Sequence, residues 1–190
     1  YRHVLIRVSI VGEKRLFNFS DITNHWKSEQ RNRSHDKILG LVAKGIDLVD
    51  ILKEILQTIE QEDPKSKCSI LLLDEEGKHL YNTVKNRLPE FYNNAVNGLE
   101  IGIGVGSCGT AAKTGKRVVV DDIMNHEYWK QYKTIAKEAK LGACWSEPII
   151  GSNGKILGTF AIYHKMPNKP NESDIERICF ASNISAITIE

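Results

Sequence analysis

Much that would announce a function is missing from these 190 residues. There is no Cys-x-x-Cys pair: Cys68, Cys108, Cys144 and Cys179 are scattered, which argues against a zinc knuckle and offers no disulfide framework. Four reduced thiols are the default of a cytoplasmic protein, and that localisation is expected. No apolar run approaches the length that spans a bilayer, and no charged-then-apolar leader is present, so no membrane contact is expected of this segment. Neither sign of charge dominates. The 26 Lys and Arg against 24 Asp and Glu leave a formal charge of +2, spread along the chain, which makes no electrostatic case for a nucleic-acid partner. No complete catalytic constellation and no metal-ligand cluster stands out, so neither an enzyme nor a metal centre is expected.

What is present reads as three segments. Val4, Ile6, Val8 and Ile10 alternate with Leu5, Arg7 and Ser9; a turn at Gly12-Glu13-Lys14 leads to a second alternation over Leu16-Phe17-Asn18-Phe19. An isolated hairpin is marginal in water. Residues 1–23 are therefore expected to be the end of a sheet whose other strands lie outside this chain. Its close, Asp21-Ile22-Thr23 ahead of a helical segment, resembles the end of a PAS domain, in which this motif precedes a signalling helix. Residues 24–45 form a polar connector with a single Trp26. Ile38, Leu41, Leu48, Leu52, Ile55 and Ile59 then repeat at helical spacing, with Gly45 interrupting the register as a break or hinge. The stripe over 46–60 suits a helix packed on its own sheet. The polar helix over 24–44 has little to bury alone and suits pairing across a dimer.

From residue 46 onward the pattern is that of one domain. Cys68 to Asp74 is a nearly continuous apolar strand of the kind covered on both faces, and Glu75-Glu76-Gly77-Lys78 turns it back into His79 to Val84. Pro89 opens a short helix ending at Val96. Ser107 is placed to cap a helix ending near Gly115, and Arg117 to Asp121 is a short strand. Glu127 to Lys140 reads as an aromatic-rich helix. Cys144 to Ile150 and Lys155 to His164 are strands joined through Gly151-Ser152-Asn153-Gly154, and a last helix starts near Ser173. This order predicts an α+β fold: a central antiparallel sheet of about six strands with helices on both faces.

The run Ile101 to Ala112 is the most informative stretch. Its glycines bring backbone close to a cavity, and Cys108 falls where a small pocket would be lined. Read literally, Gly104 to Gly109 matches Gly-x-Gly-x-x-Gly, but no long buried strand leads into it and the acidic residues come too early for a dinucleotide. The stretches Pro89 to Gly98, Gly106 to Ala112, Val118 to Ile123, Gly142 to Ile150 and Gly154 to Tyr163 together resemble a GAF domain over residues 46–190. The nearest variant of that family sits in bacterial proteins between a PAS domain and a histidine kinase or a GGDEF/EAL cyclic-di-GMP output domain. The resemblance implies a sensory module of signal transduction, with a small-molecule pocket bordered by Ser107, Cys108, Gly109, Asp122, His126, Trp129, Cys144, Trp145, Glu147 and Tyr163.

The resemblance also implies a homodimer joined through its terminal helices, with Ile38, Leu41, Leu48, Leu52, Phe180, Ile184 and Ile187 as signalling contacts and an output domain in the same chain. The cofactor is unknown. Some relatives hold haem through one histidine, for which His126 is the candidate, but a lone histidine more often bonds nearby backbone, and neither haem nor bilin is expected. Two other readings stand beside the sensor: a ligand-free dimerising spacer, and a thiol enzyme resembling the free-methionine-sulfoxide reductases, which use pocket cysteines. Cys144 stands only two residues before Ser146, closer than the nucleophile of those enzymes, and a further cysteine before the glycine run is missing.

Overall fold

The computed structural model describes residues 3–11 and 14–190, and the side chains of these except residues 11, 14 and 23–27. Gly12 and Glu13, the middle of the expected first turn, lie outside the described residues, as does the side chain of Trp26.

Strands β1 (Val4–Val11) and β2 (Lys14–Asp21) pair antiparallel and with no other described strand. Ile6 stands opposite Phe19 and Val8 opposite Phe17, so Val4, Ile6, Val8, Ile10, Phe17 and Phe19 share one face. That face is uncovered: Ile10 is 72% and Phe19 65% exposed.

Helix α1 (Thr23–Ala43) follows at once and ends two residues before Gly45, whose φ of +68° is the left-handed conformation that glycine adopts at least cost. The chain then reverses into α2 (Leu48–Glu62), capped by Asp47, whose carboxylate accepts the Val49 amide at 2.9 Å. The two helices run antiparallel. Lys37 pairs with Glu54 at 2.6 Å, and Arg31 lies 3.7 Å from Glu62 while bonding Glu176 at 2.9 Å. This changes the expectation for the connector. Ile38 is fully buried in the chain's own core together with Leu52, Ile55 and Ile178, so α1 finds a cover within one chain. Leu52 and Ile184, also expected as contacts between subunits, are inside the same core, and Leu41, Leu48 and Phe180 are half-buried beside it. Ile187 alone of the seven is exposed, at 47%.

The domain is built on a six-stranded antiparallel sheet, as expected. Its strands are β3 (Lys67–Leu73), β4 (His79–Asn82), β5 (Leu99–Glu100), β6 (Val118–Val120), β7 (Ala143–Ile150) and β8 (Ile156–His164). The order is β5-β4-β3-β8-β7-β6, with β3, β8 and β7 central. Alternation along these strands sorts side chains to two cores. Cys68, Ile70, Phe160, Ile162, Trp145 and Ile149 face α2 and the last helix α6 (Glu172–Ile189). Leu71, Ala161, Tyr163 and Cys144 face the other layer, made of α3 (Glu90–Val96), α4 (Gly106–Thr114), a 3-10 turn at Glu127–Trp129 and α5 (Lys133–Glu138).

Two local expectations are corrected. The single helix read over Glu127 to Lys140 is this 3-10 turn plus one short helix, separated by a turn over residues 130–132. Helix α4 starts at Gly106 with Val105 at its cap position, so Ser107 lies inside the helix and spends its hydroxyl elsewhere. A feature the sequence reading did not single out is the reciprocal cap of α6, in which Asn171 accepts the Asp174 amide and Asp174 accepts the Asn171 amide.

Close packing of β8 on β3 depends on Gly158: a Cβ there meets the Leu71 carbonyl oxygen at 2.2 Å. We expect Gly158→Ala to destabilise the chain by about 3 kcal/mol, read as a lower midpoint in urea unfolding. Ile38→Ala should cost a similar amount, about 3 kcal/mol. Because Ile38 packs within its own chain, the size of that loss should not change with protein concentration.

Candidate functional site

Between the sheet and the α3–α5 layer lies a cavity of about 200 Å³. Leu71 and Tyr163 form its floor, Tyr92, Val96 and Leu99 one wall, Val105, Gly106, Ser107 and Cys108 a second, and Trp129, Tyr132 and Ile135 a third. None of its lining residues is a Lys, Arg, His, Asp or Glu, and the surface is mostly apolar. Its shape follows from the glycine run. Gly104 (φ +88°) and Gly106 (φ +57°) turn the chain sharply into α4, and Thr110 fixes the turn by accepting the Gly104 amide at 3.1 Å and donating to the Gly106 carbonyl at 2.7 Å. No buried strand leads into this turn; β5 has two residues.

One wall is tied to the sheet by a short relay. The Trp129 indole donates to the Ser107 hydroxyl at 2.9 Å, and that hydroxyl donates to the Cys144 carbonyl on β7 at 3.2 Å. Beneath the cavity lies a buried polar patch. The Tyr163 hydroxyl is 3.2 Å from that of Ser69 and 3.6 Å from the Cys108 sulfur, and the Tyr92 and Tyr163 rings meet edge to face at 6.0 Å. Hydrogen bonding from the Cys144 thiol outweighs the cost of burial and brings the Cys108 pKa down to about 6. Ser146, Tyr163 and Thr159 add smaller contributions, although the Ser146 and Thr159 hydroxyls make no hydrogen bond of regular geometry. Cys144 moves the other way, its thiol pushed well up by burial and then by its role as donor to Cys108. Cys68, on the opposite face, is also pushed up by burial.

Of the ten residues expected around the pocket, Ser107, Cys108, Trp129 and Tyr163 line it. Cys144 lies just beneath them. Gly109 is turned away on α4, where a Cβ would meet Val105 at 2.8 Å. Asp122 caps its own turn by accepting the Met124 amide at 3.0 Å, and His126 Nδ1 accepts the Tyr128 amide at 3.2 Å, the backbone role expected of a lone histidine there. Trp145 and Glu147 belong to the other face of the sheet. The Trp145 indole donates to the Asn168 carbonyl at 3.0 Å, and Glu147 pairs with Arg117. Alternation along β7 puts these two opposite Cys144, a period-two signal that could have separated them beforehand. Tyr92, Val96, Leu99 and Ile135 line the cavity without having been singled out as site residues; they come from short elements whose facing is decided by packing. Among the described residues, no group of three or more His, Cys, Asp or Glu side chains is arranged to hold a metal ion.

Residues 45–190 match the family model described as GAF domain. The chain is 36% identical over 170 residues to the methyl sulfide methyltransferase-associated sensor of Methanosarcina acetivorans, a match that takes in 90% of this chain and 17% of that protein. The chain thus spans a small part of that relative's length. Among solved structures, the GAF domain of an Acinetobacter phosphoenolpyruvate-protein phosphotransferase is similar at a TM-score of 0.65 and 16% identity, over 84% of this chain and 92% of that one. The free methionine-R-sulfoxide reductase of Neisseria meningitidis in complex with its substrate is similar at 0.63 and 20% identity, over 85% and 89%. At these identities the likeness to both structures is one of fold.

The acidity of Cys108 has a direct readout. Its thiolate fraction should grow as pH rises through about 6 and vanish below it. We expect iodoacetamide labelling, followed by peptide mass spectrometry, to reach half its plateau near that pH at Cys108, while Cys68 and Cys144 stay unlabelled at neutral pH. Equal labelling of Cys108 and Cys144 across the range would contradict the assignment.

Proposed function

The chain belongs to the GAF domain family, and from that premise we propose that it is the sensory module of a multidomain signalling protein, in which a small neutral ligand fills the apolar cavity. The observation that carries this reading is the lining itself. An anionic ligand would be stripped of water there without a cationic partner, at a cost of several kcal/mol. Tyr92, Trp129, Tyr132 and Tyr163 favour a planar or aromatic guest. A hollow of about 200 Å³ also forgoes up to roughly 5 kcal/mol of packing at the cost per volume measured for core cavities, which a guest restores in part. An engineered cavity of comparable size is known to hold benzene.

The output would travel through the helices on the far face. Trp129 is tied through Ser107 to β7, and β7 is tied to α6 by the Ser182 hydroxyl, which donates to the Pro148 carbonyl at 2.6 Å. A guest that favours one setting of Trp129 therefore biases the packing of α6 against α1 and α2, provided it binds the two settings with different affinity. We read α1 as the input connector and the uncovered apolar face of the β1–β2 hairpin as the end of a PAS sheet completed by preceding strands of the same polypeptide. Pairing of two copies through the exposed parts of the terminal helices, a histidine kinase or cyclic-di-GMP output domain and a cytoplasmic setting complete the proposal. No helix described is long and apolar enough to cross a membrane.

Cys108, acidic and beside Cys144, is what favours the thiol-enzyme reading. Against it, the carboxylate of free methionine sulfoxide would need a cationic partner that the cavity walls lack. No turnover of free methionine sulfoxide is expected with a thiol reductant; robust turnover lost in Cys108→Ser would replace the sensor reading with the enzyme. For the cavity, toluene should raise the melting temperature saturably, and Val96→Trp, which fills the hollow, should abolish the rise. A wild-type protein indifferent to toluene, and carrying no small molecule in native mass spectrometry, would leave the domain as a spacer.

A further inference from the structure

The floor of the apolar cavity holds a chemistry that binding alone does not use. Cys108 lines the cavity, and its sulfur lies 3.6 Å from the Tyr163 hydroxyl. Helix α4 brings it down on β7, where the hydroxyl of the adjacent Ser107 reaches the Cys144 carbonyl at 3.2 Å. Cys144 is fully buried, and its thiol donates to the Cys108 sulfur. Two further side chains share that face. Ser146 follows Cys144 by two residues on β7, and Thr159 precedes Ala161 by two on β8, so the pleat turns both toward the pocket layer.

These two hydroxyls are the second, independent observation. Ser146 and Thr159 are fully buried, and neither hydroxyl has a hydrogen-bond partner of regular geometry. A buried polar group left unpaired is costly and calls for an explanation. Both lie close enough to the Cys108 sulfur to help hold a negative charge there. With Tyr163 and Cys144 they surround it with neutral donors. A sulfur so placed is a ready nucleophile, and it has hydroxyls in reserve for an oxygen atom added to it.

Resting on the reading of the cavity as the seat of a neutral guest, we propose that this guest is an apolar hydroperoxide, which oxidises Cys108, and that Cys144 then closes a disulfide with it. The Cys108 thiolate attacks the terminal oxygen of the hydroperoxide. The O–O bond breaks, and the alkoxide leaves as the alcohol with the proton that the thiol had released. The oxygen gained by sulfur meets the Ser146 and Thr159 hydroxyls that the reduced protein leaves unpaired. Attack by Cys144 on the sulfenic acid forms the S–S bond and releases water. In sum, the thiol pair gives up two electrons and two hydrogens, and the hydroperoxide becomes alcohol and water. Burial holds the Cys144 thiol neutral at first, helped by its bond to Cys108 and by that sulfur's charge. The last two causes lapse once Cys108 carries oxygen. Cys68 on the opposite face and Cys179, bonded by Arg117 at 2.7 Å, lie outside the cavity lining.

The test treats the reduced chain with cumene hydroperoxide and maps its cysteines by peptide mass spectrometry without reductant. A Cys108–Cys144 cross-linked peptide, reversed by dithiothreitol, is expected before any change at Cys68 or Cys179. In Cys144→Ser the sulfenic acid should persist and be captured by dimedone at Cys108. Removing both hydroxyls, in Ser146→Ala/Thr159→Val, should slow the oxidation about tenfold, and saturating toluene should protect Cys108. A chain that toluene stabilises but that forms no Cys108–Cys144 link overturns this inference and leaves the sensor reading intact. Failure of the sensor reading shows instead as a chain indifferent to toluene. Oxidation of Cys68 or Cys179 first, an unchanged rate in the hydroxyl variant, or no protection by bound toluene also overturns the inference.

Discussion

Burial of the central strands on both faces is the constraint from which the rest of this molecule follows. β3, β8 and β7 carry apolar side chains up and down, so each face must find a cover. One face receives long regular helices, α2 and α6, with α1 folded over them. The other receives short pieces joined by tight turns. Regular helices fill their layer with interlocking side chains, whereas α3, α4, the 3-10 turn and α5 leave a hollow above Tyr163. The cavity is thus the consequence of covering the sheet with elements too short to close over it.

The connector helix obeys the same logic. A polar α1 offers little to bury, but Ile38 alone, fully buried with Leu52 and Ile178, is worth roughly 1.5–3 kcal/mol of transfer free energy. The reversal at Gly45 lets that residue reach the core, and the Arg31 and Lys37 pairs set the register of the two helices. The hinge therefore folds the connector back on the domain, so that movement of α6 meets α1 directly and not only at a distant junction.

Polar groups divide between the two faces of the pocket layer. In the cavity they are hydroxyls and thiols, of which Ser107, Ser69 and Tyr163 are hydrogen-bonded and Ser146 and Thr159 are not, with Cys108 acidified by neutral donors. At the end of the strands they are surface lysines, with the His164 ring packed on Trp145 on the other face of the sheet. Tyr163, the penultimate residue of β8, borders both regions.

The amino-acid order alone determined the α+β class, the six-stranded sheet, the hairpin, the break at Gly45 and the family, since each rests on local signals: alternation, helical spacing, turn residues, and the run from Gly106 to Ala112. It also pointed to Ser107, Cys108, Trp129 and Tyr163. Only the tertiary structure decided the rest. Trp145 and Glu147 are three or fewer residues from Cys144 along the chain, yet the pleat of β7 sends them to the opposite core. Ile38 looks like a surface contact until α1 turns back, and Tyr92, Tyr132 and Ile135 become pocket walls only when short helices dock on the sheet. Lys65, Lys67, Lys140 and Lys165 are scattered along the chain and carry no pattern; they meet because antiparallel pairing sets the start of β3 beside the end of β8. Contacts of that kind arise from strand register and packing at long range, which local sequence does not encode.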